Sequence, residues 1–262
     1  MLWPTTLYFE QELRRVYEAL RSSPLAKSHL TGVFKLDGQD VEEFDVIELD
    51  GQMIASEEFA QLLMIFNGSR VHEQGEREHG PDEAPPGTYF TAVNAALIHE
   101  GHKNRVGIYL EEAGPALYLE DAPEQVPALG TDVAGAVHVD HFFLRGQAPD
   151  WLGTIAFALC AMVAHRMGYR HISLIAAGGD GYDPRMVGYR FWPKVGFDAP
   201  VEQHEIAAWP RVSGCRTVQE IIATDEDWWD QNGSQRWMEF SLSAGSPSWR
   251  KLIDYLEDKE LI

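Results

Sequence analysis

Apolar residues recur at helical spacing near the start of the chain. Tyr8, Phe9, Leu13, Val16, Tyr17 and Leu20 fall on one stripe and predict a helix over residues 8–21, broken by Ser22-Ser23-Pro24. Over residues 31–49 the pattern shortens to alternation around Asp37-Gly38 and Asp50-Gly51 turn signals, which predicts short strands. Ser56-Glu57-Glu58 ahead of Phe59 reads as a capped helix ending near Asn67-Gly68. Residues 69–87 are polar, charged and proline-bearing, the signature of a long mobile loop. Strand-like runs follow at 89–98, 105–111 and 116–120, the last two forming a hairpin around Glu111-Glu112-Ala113-Gly114-Pro115, and then at 134–144.

The pattern changes over residues 151–198, the stretch that organises the chain. Residues 153–168 are apolar nearly all round and rich in alanine, as in a helix packed closely over a sheet. Residues 171–177 follow after only Tyr169-Arg170 and read as a strand. Strand, helix, strand makes a crossover, so 134–144 and 171–177 are expected to be parallel neighbours. A glycine-rich turn (178–181) and a second helix closing on residues 188–198 complete the unit. Residues 217–223 read as strand or short helix, 237–242 as a strand, and Ser246-Pro247-Ser248 as the cap of a last helix over 249–256. The expected fold class is α+β (mixed α/β): a central mixed sheet flanked by helices, with an N-terminal extension. The expected division is an N-terminal region over 1–68, the polar loop over 69–87 and a core with its C-terminal flank over 88–262, or one domain overall.

Composition adds exclusions. At 262 residues and 45% hydrophobic content the chain can bury a sizeable core. Its 41 acids against 21 bases give a formal charge of −20, which argues against nucleic acid and anionic membranes as partners. No apolar run reaches the length of a membrane span and residues 1–10 lack a signal-peptide pattern, so the expectation is a cytoplasmic protein with no membrane partner. Cys160 and Cys215 provide neither a disulfide framework nor a zinc spacing.

The chemistry-bearing candidates are few. In His138-Val139-Asp140-His141, strand alternation puts His138 and Asp140 on one face and His141 on the other, which disfavours a metal and leaves Asp140, His138 or His141 as a general base near the helix N-terminus. His99-Glu100-Gly101-His102 has the wrong spacing for a zinc-protease helix. Cys215 lacks an identifiable base, and Gly178-Gly179-Asp180-Gly181 lacks the spacing of a dinucleotide turn. The run Asp225-Glu226-Asp227-Trp228-Trp229-Asp230 reads either as a cation-recognising surface or, preferably, as core tryptophans at a loop end.

The order of elements around residues 134–200, with its ending Phe191-Trp192-Pro193-Lys194-Val195-Gly196-Phe197, resembles the acetyl-CoA-dependent N-acetyltransferases of the GNAT superfamily. It resembles still more the Gly-Tyr-x-x-Trp-Pro-x-x-Gly-Phe-Asp segments of GNAT-like bacterial and phage proteins. The resemblance implies acetyl-CoA or another acyl-CoA as cofactor, its pantetheine between two splayed parallel strands and its pyrophosphate on the helix amides of Trp151, Leu152, Gly153 and Thr154. It implies an amine-bearing small molecule or protein as acceptor. The family's asparagine, small residue and proton-donating tyrosine fall on Arg185, Gly188 and Trp192; an indole is no such acid, so Tyr189 (or Tyr182) is the expected substitute. The phosphate loop departs from the pattern, since Arg145, Gly146, Gln147 and Gly153 have its chemistry but not its spacing, and Asp150 puts a negative charge beside it. The alternative implied is a GNAT-like binding or effector module without acyl transfer.

Overall fold

The computed structural model describes residues 4–49, 51–77, 84–99, 101–112, 133–179, 181–183 and 185–262. Helix α1 (Pro4–Tyr8), a π-helical turn (Phe9–Leu13) and α2 (Arg14–Ser22) form one bent N-terminal rod, buried through Phe9, Leu13, Tyr17 and Leu20 as the apolar stripe requires. Ser23 caps α3 (Pro24–His29) by accepting the Ala26 amide at 3.2 Å. Strands β1 (Phe34–Leu36) and β2 (Gln39–Val41) are joined by Asp37 and Gly38, both at positive φ. Strands β3 (Val46–Leu49) and β4 (Gln52–Ala55) form a separate antiparallel pair leading into α4 (Ser56–Leu62).

The central sheet has eight strands in the order β10-β9-β8-β7-β6-β5-β1-β2, adding β5 (Arg70–Arg77), β6 (Gly87–Val93), β7 (Asn104–Glu112), β8 (Val133–His141), β9 (His171–Gly179) and β10 (Ser234–Ser241). It is antiparallel except at β1–β5 and β8–β9. Helix α5 (Leu152–Arg166) makes the β8–β9 crossover expected from sequence. The sheet continues through β1 and β2, so the N-terminal segments share a sheet and a hydrophobic core with the rest.

Every residue of α5 from Thr154 to His165 is buried. One side packs on the sheet and the other is covered by the N-terminal helices and α4, which is why its sequence shows no polar stripe. Beyond β9, α6 (Gly188–Lys194), α7 (Gln203–Ile206), α8 (Val218–Asn232) and α9 (Pro247–Asp258) close the C-terminal side. There Phe157 of α5 meets the rings of Trp192, Phe197 and Phe240 at centroid distances of 5.2 to 5.5 Å.

Several sequence expectations need correction. Much of the expected loop over 69–87 is strand: β5 pairs with β6 and β1 through its backbone, and because its side chains after Val71 are exposed up to Gly75, no apolar alternation marks it. Helix α4 stops at Leu62, and residues 63–66 are buried without being helical, with Met64 at φ +49°. Ser56 does not cap α4; its hydroxyl donates to the Glu42 carbonyl at 3.0 Å. Ser246 likewise donates to the Ser241 carbonyl (2.7 Å) instead of capping α9. Of the two expectations for 217–223 the helix holds, over 218–223, opened by Thr217 accepting the Glu220 amide. The expected strand at 116–120 and its turn at 113–115 lie outside the described residues.

Two substitutions test this packing. Phe157→Ala should cost about 3–5 kcal/mol in urea denaturation, since the rings around it cannot collapse into the void. Gly196, at φ +104° with the Ser248 carbonyl oxygen 2.5 Å from where a Cβ would stand, should lose about 1–3 kcal/mol as Gly196→Ala.

Candidate functional site

Strands β8 and β9 pair over three residues only: Val137 with Ile172, His138 with Ser173, Val139 with Leu174. Each then follows its outer neighbour. On one side β8 keeps its register with β7 through a β-bulge, where Arg105 pairs with His141 and Val106 with Val139, leaving Asp140 as the extra residue. On the other, β9 stays with β10 as far as Gly179. The two strands part, and a cleft of about 210 Å3 opens between them.

The cleft is lined by Val139, Asp140, His141, Phe142 and Phe143 from β8 and its extension, and by Leu174, Ile175 and Ala177 from β9. Leu174 and Ile175, adjacent on β9, both line it. Gly188, Phe191 and Trp192 of α6 close one end, with Arg185 beside them. Gly188 is required there, since a Cβ would stand 2.9 Å from the Ala177 amide nitrogen.

The bulge overturns the expected alternation, because Asp140 and His141 both face the cleft. The Asp140 carboxylate forms an ion pair with the Arg105 guanidinium and is largely buried. That charge-assisted bond anchors Asp140 at the bulge. His141 differs. Its Nε2 lies 3.0 Å from Nδ1 of His102, the two rings stack at 5.2 Å, and His102 stacks in turn on Phe143 at 4.6 Å. Burial, and secondarily the neighbouring His102, pull the pKa of His141 below the ordinary histidine value. A neutral imidazole at the cleft wall can accept a proton and pass one along the pair.

His138 is placed elsewhere. It is buried, with Nδ1 2.9 Å from the Ser173 hydroxyl and its ring stacked on Trp237 at 5.0 Å. Ser173 also contacts the Tyr109 hydroxyl (3.1 Å), which reaches His171 at 2.8 Å, so His138 belongs to a buried polar network tying β7, β8 and β9 together. Tyr189 does not line the cleft either: it is on α6, but its hydroxyl donates to the Asp230 carbonyl at 3.2 Å. Trp192 takes the cleft-facing position. Arg185 does line the cleft, chelated by Asp183 with Nη2 to Oδ2 at 2.6 Å, a contact that drops the Asp183 carboxyl to about 2.

Trp151, Leu152, Gly153 and Thr154 form the entry to α5 without lining the cleft. Trp151 stands in the left-handed region at φ +66°, and no side chain caps the helix. The Leu152 amide is taken by the Pro149 carbonyl at 3.2 Å. Phe142 and Leu144 lie against Gly153, and Phe142 stands between the helix end and the cleft. Lys259 from the end of α9 sits 5.9 Å over the Trp151 ring and adds positive charge beside that terminus.

The remaining candidates resolve by burial. Cys215 is buried with the Thr224 hydroxyl 3.8 Å from its sulfur, and no base is placed to activate it among the described residues. Trp229 is core, its indole N–H donating to the Tyr189 carbonyl at 2.9 Å, while Trp228 packs edge-on against Trp209. Among the described residues no group of three or more His, Cys, Asp or Glu side chains could hold a metal ion, and no helix is long and apolar enough to cross a membrane. His102 is the residue that sequence reading missed. Its sequence neighbours suggest only a zinc-helix spacing, whereas the side chain it meets, His141, lies 39 residues away on β8. No family model, no curated protein and no solved structure matches the chain.

The depressed pKa of His141 has a sign that can be checked. The unfolded chain takes up its proton near the ordinary value of 6.5, the folded chain only at lower pH, so stability supported by neutral His141 is full above about pH 6.5 and is lost as pH falls through the folded pKa. Urea midpoints measured from pH 7.5 down to 5 should fall less in His141→Asn than in the wild type.

Proposed function

We propose that the protein is a GNAT-like acyltransferase that moves an acyl group from acetyl-CoA or another acyl-CoA to an amine acceptor. The observation that carries the reading is the cleft between β8 and β9, the two strands joined by the crossover helix. Parted strands present backbone N–H and C=O groups along both inner edges. An extended chain containing amides, as pantetheine is, suits such a slot in hydrogen-bonding chemistry. The α5 N-terminus with Lys259 beside it, beyond Phe142, would supply the positive potential that a phosphate-bearing ligand needs, since Arg185 is already paired with Asp183. Phe142 must shift if both parts of the ligand are to be held together.

When bound, the thioester supplies the activated carbonyl. The chain's own contribution would be the histidine pair: His141 would take the proton that the attacking amine gives up, hold it with His102 across their 3.0 Å contact, and return it to the thiolate that leaves as the amide forms. Asp140 and Arg105 hold the bulge that points His141 at the cleft. Water is limited by Val139, Leu174, Phe191 and Trp192.

A second reading, a GNAT-like binding or effector module without acyl transfer, draws support from the α6 side chains. Tyr189 is turned away to Asp230 and an indole faces the cleft, so no phenol among the lining residues can protonate a leaving thiolate.

Acetyl-CoA should raise the melting temperature in a concentration-dependent way. Ile175→Trp, which fills the cleft from a half-buried position, should remove that shift while leaving the ligand-free melting temperature within a few degrees. In a thiol-release assay with an acetylated amine as product, His141→Asn should lower turnover by about 10²-fold or more with the shift retained. Binding without turnover in the wild type over a broad amine panel would favour the second reading. Absence of any shift at millimolar acetyl-CoA would eliminate the first.

A further inference from the structure

A second cavity among the described residues is larger than the cleft. It measures about 710 Å3 and lies between the β1–β2 hairpin, the start of β5 and the connection from β6 to β7. Its apolar floor includes Val33, Phe34, Val93 and Ile98. Its rim reverses the character of the chain: Lys35, Arg70, Lys103 and Arg145 stand against Asp40 and Glu42, four bases to two acids, where the whole sequence has 21 bases to 41 acids. Asp40 is already neutralised by Lys35 at 2.5 Å. Arg70 and Lys103 are exposed, and no acid among the described residues pairs with either. Arg145 donates through Nε to the Ile98 carbonyl at 2.9 Å, which fixes the guanidinium plane and leaves its terminal nitrogens for a ligand.

The two cavities share a wall. His102 lines the basic cavity, and its partner His141, 3.0 Å away, lines the cleft. A molecule seated against Arg70, Lys103 and Arg145 is therefore separated from the cleft by one pair of imidazoles. The volume is that of a small-molecule site with a few convergent polar groups, too confined for a protein surface to fill.

We infer that this cavity is a binding site for a small organic anion carrying a carboxylate or phosphate group, held by Arg70, Lys103 and Arg145 next to the His102–His141 pair. Anion binding does not depend on acyl transfer.

The test uses the full chain at fixed ionic strength, with sodium chloride replaced stepwise by inorganic phosphate in one arm and by glutarate in the other. Binding is followed by calorimetry and by the imidazole NMR signals of His99, His102 and His141. Saturable binding in at least one arm that moves the His102 signal, weakened about tenfold or more in the R70Q/K103Q double variant, is the expected result. The arm that saturates identifies the anionic group. K27Q/R250Q, which changes the net charge equally at sites outside this cavity, should bind as the wild type does. Equal weakening in both double variants, or no saturation in either arm, would overturn the inference. Loss of the acetyl-CoA thermal shift in R70Q/K103Q would overturn it as a separate site, because the cavity would then belong to the CoA phosphates. A normal acetyl-CoA shift with no anion binding sinks this inference alone; anion binding without any acetyl-CoA shift sinks the acyl-transfer reading alone.

Discussion

Helix α5 has no solvent face, and the rest of the structure is arranged around that constraint. A helix apolar on every side is stable in water only when two layers cover it, and one sheet covers only one side. The N-terminal helices and α4 supply the second layer, which ties the first third of the chain to the crossover unit. Small side chains at Ala156, Ala158, Ala161 and Ala164 allow close approach from both directions. The few polar groups in α5 are satisfied outward: the Cys160 thiol donates to the Leu62 carbonyl at 2.9 Å, and His165 bonds the Leu242 carbonyl at 2.7 Å. With its flanks fixed in this way, α5 also fixes where β8 ends and β9 begins.

The cleft follows from competition between ladders. β8 is held to β7 over nearly its whole length and β9 to β10 over its whole length, whereas their own parallel pairing covers three residues. Antiparallel partners win both strands, and the bulge at Asp140 gives β8 the extra twist that carries it away. The unpaired inner edges left behind are costly wherever water is excluded, about 1–3 kcal/mol for each unsatisfied polar group, so a ligand with amides in register would recover part of that cost. The aromatic wall of Phe142, Phe143, Phe191 and Trp192 holds the opening from closing on itself.

What the sequence made legible was whatever depends on local pattern. The crossover, the parallel relation of β8 and β9 and the all-round burial of α5 follow from periodicity in residues 134–177. Features set by backbone pairing alone stayed hidden: β5 forms from a polar segment because β1 and β6 offer it hydrogen-bond partners, and nothing in its side chains announces that. The site was half legible for the same reason. His138-Val139-Asp140-His141 was found, but strict alternation assigned the faces, and a bulge is a property of two strands that one strand's sequence does not carry. His138, before the bulge, is buried with Ser173 and Trp237, while His141, after it, lines the cleft. Tyr189 was chosen for its phenol and its position along α6, but the helix face it occupies is decided by α8, where Asp230 accepts its hydroxyl.

The charge distribution adds a further asymmetry. A formal charge of −20 acts at range, but at physiological ionic strength the field fades within about 8 Å, so it governs how a ligand approaches more than how it is held. An ammonium group is drawn toward such a surface and a bare anion is slowed. Inside the cavity between β1–β2 and the β6–β7 connection the local sign reverses, and Arg145, fixed by its bond to Ile98, decides residence instead. Approach and retention therefore select for different charges. A molecule carrying both charges satisfies them together, with its anionic group on Arg145 and the His102–His141 pair beside it.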